Sequence, residues 1–210
     1  MTDTDADART DTETGGGSSA VPDLGPQARI VARLAAAVPD ERLADRTPCP
    51  GTTVGALLGH VAGLSVAFRD AARKDLGPTT DSVPDPSAPT LAPGWREELP
   101  RVLDELAEAW RDPAARTGMT RAGGVDLPGE IAGLVAVDEL VVHGWDLARA
   151  TGQSYAPDPA ALAAAHAFLL ASAAEEDRGG IFGPVVPVPD DAPLLDRAIG
   201  LSGRDPAWTP

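Results

Sequence analysis

The sequence predicts an all-α fold: a four-helix bundle with a long crossover between its second and third helices, an additional C-terminal helix and an irregular tail. Three observations carry this. Apolar residues recur at helical spacing in successive segments along the chain. Strand-like patterning never exceeds a few residues, with Val185 to Val188 the best case. Six prolines between Asp75 and Pro100 separate the second helical segment from the third. A connection of that length lets consecutive helices run parallel, where a short loop would make them antiparallel.

The first helix is expected from about Pro26 to Val38, with Pro26 in the first turn and Ile30, Val31, Leu34 and Ala37 on one face. The segment TPCPG, Thr47 to Gly51, breaks the pattern, and Thr52 or Thr53 then caps a second helix reaching about Lys74. The third helix covers Gly94 to Trp110, disturbed early by Pro100 and stopped by Pro113. Residues 117–128 form a loop or a short extended excursion. The fourth helix runs from Gly129 to Thr151, with Gly152 just past its end, and an alanine-rich fifth from Pro159 to Arg178. A short helix near Leu194 to Leu201 lies in the proline-rich remainder. Gly123-Gly124 and Gly179-Gly180 mark turns.

At 210 residues and 43% hydrophobic, the chain suits one domain with a sizeable core. Residues 1–22 are expected to be a disordered acidic tail and 23–210 a single helical domain. The net charge is -15, which argues against nucleic acid and anionic membrane surfaces as partners. Lys74 is the only lysine; the other 16 basic residues are arginine, and alanine reaches 38. That bias is associated with a GC-rich genome. A lone Cys49 allows no internal disulfide, and no signal peptide or membrane span is predicted, so the expected location is the cytoplasm.

Three histidines remain: His60, His143 and His166. On the fourth helix Glu139 and His143 are four residues apart, so they share a face, with Asp146 three further on. The rest of that face is small, Ala132, Ala136 and Ala150 among others. On the second helix His60 is flanked by Ala56, Gly63 and Ala67. Facing one another, the two helices would enclose a cavity lined by His60, Glu139 and His143. Two imidazoles and a carboxylate suit a borderline divalent ion such as Zn²⁺ and leave a position open. Asp146 would then orient a ligand histidine, or be a ligand itself. The spacing alone also fits a helix-surface pair at Glu139 and His143 and a packed core histidine at His60.

The segments TPCPGTTVGALLGHVAG (47–63), DELVVHGWDLARATGQ (138–153) and LLDRAIGLSGRDPAW (194–208) resemble the DinB/YfiT-like superfamily. Within it they are similar to the actinobacterial branch that includes mycothiol-dependent maleylpyruvate isomerase. The resemblance implies a four-helix bundle with a long crossover. It also implies a divalent metal, zinc the first expectation, held by His60, Glu139 and His143. Relatives often carry tryptophan after TPCPG; here Thr52 stands there, which leaves that ring's role unfilled.

The expected activity is therefore a metal-dependent S-transferase or isomerase. It would act on a small electrophile with a low-molecular-weight thiol, mycothiol by resemblance, as co-substrate. A non-catalytic bundle that binds or senses a small ligand around a structural metal is the alternative, and a bundle without metal the third reading. The chain is expected to act as a monomer or homodimer. Arg149 is placed to pair with Asp146 or with an anionic substrate, Trp145 to pack, and His166 to pack on the fifth helix. Cys49 reads as a small residue in a turn, with no basic partner nearby in sequence.

Overall fold

The computed structural model describes residues 21–82, 91–173 and 182–210. Helix α1 spans Gly25–Ala36, α2 Val54–Arg73, α3 Trp95–Arg111, α4 Gly129–Thr151, α5 Pro159–Ser172 and α6 Leu194–Leu201. Strands β1 (Met119–Ala122) and β2 (Val125–Pro128) form an antiparallel hairpin between α3 and α4.

The helix ends follow local chemistry. Pro26 occupies the first turn of α1, where a missing N–H costs nothing, and the Asp23 carboxylate accepts from the Gly25 amide at 3.0 Å. Thr53, not Thr52, caps α2, its hydroxyl accepting from the Ala56 amide at 3.2 Å. Lys74 ends α2 in the left-handed conformation. Helix α3 continues through Pro100. The Asp158 carboxylate caps α5 by accepting from Ala160 and Ala161. That helix stops at Ser172, short of the expected Arg178, and 174–181 lie outside the described residues.

The hairpin is the extended alternative expected for 117–128. Within 117–128, Gly123 and Gly124 both take positive φ, 59° and 78°, so they form the two-residue turn whose twist suits a hairpin. The Thr120 hydroxyl donates to the Ala71 carbonyl at 2.6 Å and ties the hairpin to α2. Val185 to Val188 are not a strand; they lie outside regular structure before α6, and the Val186 amide donates to the Gly200 carbonyl.

Helix α2 packs against α3 and α4, α1 against α3 and α4, and α5 lies between α4 and α6. The core joins Leu57, Leu58, Leu103, Leu106, Trp110 and Val141. Nearly every side of α4 is buried, which is why its apolar residues run round the helix rather than in one stripe. Val21 is 4% exposed, so packing begins inside the 1–22 segment expected to be a tail; residues 1–20 lie outside the described residues. Among the described residues no helix is long and apolar enough to cross a membrane.

Candidate metal centre

Because α2 and α4 pack face to face, the histidine on each meets the other. The His60 and His143 rings lie 5.0 Å apart, edge to face at 86°. Glu139 Oε2 is 2.9 Å from His143 Nε2. One ligand atom from each of His60, Glu139 and His143 falls within 4.8 Å of the other two. His143 is buried and the other two half-buried. A borderline divalent ion bound by nitrogen and oxygen at about 2.0–2.2 Å needs donors about this close.

Three features of α4 hold His143 still. Its Nδ1 lies 2.9 Å from Asp146 Oδ2, one turn on. The Tyr155 hydroxyl donates to the Val141 carbonyl at 2.7 Å, and Gln27 donates to the Leu140 carbonyl at 3.0 Å and to the Tyr155 oxygen at 2.9 Å. Gly144 lets Tyr155 approach: a Cβ there would come within 2.9 Å of the Tyr155 oxygen.

The charges favour a cation. Burial alone would lower the His143 pKa, but hydrogen bonds to Asp146 and Glu139 and their charges push it up to about 10. Burial would raise the Glu139 carboxyl, yet the hydrogen bond from His143, with the charges of His143, His60 and Arg204, holds it below its ordinary value. The His143 ring thus lies between two carboxylates, Asp146 at Nδ1 and Glu139 at Nε2, which favour positive charge there.

Asp146 is fully buried, and its second partner is Arg204, whose Nη2 donates to Oδ2 at 3.2 Å. Burial works against the Arg204 charge, but Asp146, then Cys49 and Glu139, hold its pKa above the ordinary value. Arg204 is the site residue that sequence spacing did not single out. Its one signal was its place in the 194–208 segment. Cys49, half-buried in the turn before α2, therefore has a basic neighbour from far along the chain.

The remaining candidates go elsewhere. Arg149 does not pair with Asp146; it donates to the Pro206 carbonyl and lies 5.5 Å from the Trp145 ring, while Arg204 takes Asp146 Oδ2. Trp145 is buried, in keeping with the packing role expected of it. His166 sits on α5 beside a surface groove with Arg197 and Val188, away from the centre, and burial with the Arg197 charge lowers its pKa. Beside Glu139 a cavity of about 10 Å³ is lined by Val61, Phe68, Leu106 and Ala136, room for one water-sized group.

A family profile described as the mycothiol maleylpyruvate isomerase N-terminal domain matches residues 24–148. An uncharacterised protein of Mycobacterium tuberculosis, found in two strains, is 28% identical over 177 residues, covering 82% of this chain and 91% of the relative. A crystal structure of mycothiol-dependent maleylpyruvate isomerase superposes with a TM-score of 0.57 at 19% identity, over 88% of each chain. A histidine-to-alanine mutant of that enzyme gives 0.55 at 18%, over 70% of this chain and 66% of the other. At that identity the likeness is one of fold.

Proposed function

The chain belongs to the mycothiol maleylpyruvate isomerase N-terminal domain family, and on that premise we propose that it is a divalent-metal-dependent enzyme joining a low-molecular-weight thiol, mycothiol, to a small electrophile. The observation that carries the reading is the convergence of His60, Glu139 and His143 within 4.8 Å at the bundle's interior. The donor set, two imidazoles and one carboxylate, fits zinc with a position left open. A bound divalent ion supplies a Lewis acid that makes a thiol in that position acidic enough to react as thiolate at neutral pH.

The protein's own groups then have definite tasks. His60, Glu139 and His143 hold the ion, and Asp146 keeps the His143 proton on Nδ1 so that Nε2 is free to bind it. Val61, Phe68 and Leu106 give Glu139 an apolar flank with room for no more than one water-sized group, which keeps bulk water from that side of the centre. In isomerisation the sulfur adds to one carbon of an electron-poor double bond, the remaining single bond turns, and the sulfur leaves with its electron pair. In transfer the sulfur stays and the neighbouring carbon takes a proton. A reducing cytoplasm, suggested by the lone Cys49, suits either chemistry.

The test is to load the protein with zinc and supply mycothiol with a panel of electrophiles, maleylpyruvate included. Thiol consumed in step with electrophile indicates transfer; product formed with thiol regenerated indicates isomerisation. No turnover with any member, alongside tight thiol binding, would favour the second reading, a small-ligand binding bundle with a structural metal.

A further inference from the structure

Arg204 reaches the centre from outside the bundle. It follows α6, beyond the residues matched by the family profile, and is 58 positions from Asp146. Gly203, at φ 85°, turns the chain there and packs so closely on Gly183 that a Cβ would come within 3.0 Å of its backbone. The segment is fastened on both sides, by Arg149 to the Pro206 carbonyl and by Arg46 lying 6.0 Å from the Trp208 ring. The Arg204 side chain is 14% exposed; besides Asp146 it donates to the Ser202 carbonyl at 3.1 Å.

Asp146 Oδ2 receives both Arg204 and His143 Nδ1, while Oδ1 is buried with no hydrogen-bond partner among the described residues. Without the guanidinium the carboxylate would be buried with His143 alone to answer its charge. It would relieve that by turning toward another donor or toward water. Turning moves the acceptor that fixes the His143 ring at Nδ1, and so takes Nε2 off its line to Glu139 and His60.

We propose that Arg204 is a positioning residue of the metal centre: acting through Asp146, it holds the carboxylate that fixes His143 with Nε2 toward Glu139 and His60. This rests on the metal reading given under the proposed function. The sign of the effect separates positioning from simple charge. Removing a cation near the site would by itself strengthen binding of a divalent ion. Losing a group that orients a ligand weakens it, typically ~10–100-fold.

The experiment titrates Co²⁺ into wild type, Arg204→Ala, Arg204→Lys, Asp146→Asn and the Arg204→Ala/Asp146→Asn double variant. Visible absorption reports binding and coordination, and circular dichroism reports the fold. Arg204→Ala is expected to bind ~10–100-fold more weakly, Arg204→Lys to recover part of the loss, and the double variant to bind no more weakly than Asp146→Asn alone. Arg204→Ala binding as tightly as wild type or tighter, an Asp146→Asn variant without effect, or losses that multiply in the double variant would each overturn the proposal. Should Arg204→Ala fail to fold, Arg204→Lys and Arg204→Gln carry the same comparison. Wild type that binds no Co²⁺ removes the metal reading itself; wild type that binds with Arg204 variants unchanged removes only the positioning role.

Discussion

Asp146 Oδ2 lies 2.9 Å from His143 Nδ1, and that contact decides which nitrogen of the ring faces Glu139. A carboxylate three residues along the same helix can do this only because the helix buries both groups, Asp146 fully and His143 to 6% exposure. In water the same pair would be worth little. Here it selects one orientation of an imidazole whose Nε2 meets Glu139 at 2.9 Å and whose ring meets His60.

Metal binding should release a proton. In the metal-free protein the His143 pKa is raised from 6.5 to about 10, whereas Glu139 is held low and is already ionised. The raised value also stabilises the metal-free fold fully below pH 6.5, a contribution lost as pH rises through about 10. A metal ion must displace the Nε2 proton, so apparent affinity should climb about tenfold per pH unit from pH ~7 toward ~10 and then level off. Calorimetry in buffers of different ionisation enthalpy measures the proton count. Affinity flat between pH 7 and 9 would refute this.

Gly144→Ala should weaken the protein although it improves a helix. The new Cβ meets the Tyr155 oxygen at 2.9 Å. Alanine gains about 1 kcal/mol of helix propensity, but overpacking a tight contact costs about 1–3 kcal/mol. Denaturant melts should show a net loss of about 1 kcal/mol, with weaker metal binding because Tyr155 braces the turn that carries His143. A net gain in stability would show that Tyr155 yields freely.

Gly124→Ala serves as the contrasting variant. Its φ is 78°, and a Cβ would stand 2.8 Å from the Asp81 carbonyl oxygen. Forcing alanine into that conformation costs about 1–2 kcal/mol, so the melting temperature should fall while metal content per chain stays at the wild-type level. Loss of metal in a folded Gly124→Ala would show that the hairpin shapes the centre.

The helices were legible because burial on one side leaves a periodic trace, as in Val31 and Leu34 of α1 or Leu103, Leu106 and Trp110 of α3. The shared face of Glu139, His143 and Asp146 was legible for a different reason: α4 is buried on nearly every side, but helical geometry alone fixes these three relative to one another. The hairpin was legible only as a short extended excursion with a turn at Gly123-Gly124, because Met119 and Val125 are exposed and its strands, four residues each, are too short and too weakly alternating to show pairing. Arg204 was illegible for a different reason. Nothing in local spacing says which of 16 arginines folds back onto Asp146, and Arg149, on the right helix, turns instead to Trp145 and Pro206.

The central claim is that His60, Glu139 and His143 form one metal centre. Its most direct test is metal content per chain, by elemental analysis after zinc loading and gel filtration, in wild type, His60→Ala, Glu139→Gln and His143→Ala, each shown to be folded. Wild type is predicted to retain about one ion per chain and each variant to retain almost none. Wild type without bound metal, or His143→Ala holding as much as wild type, would contradict the account.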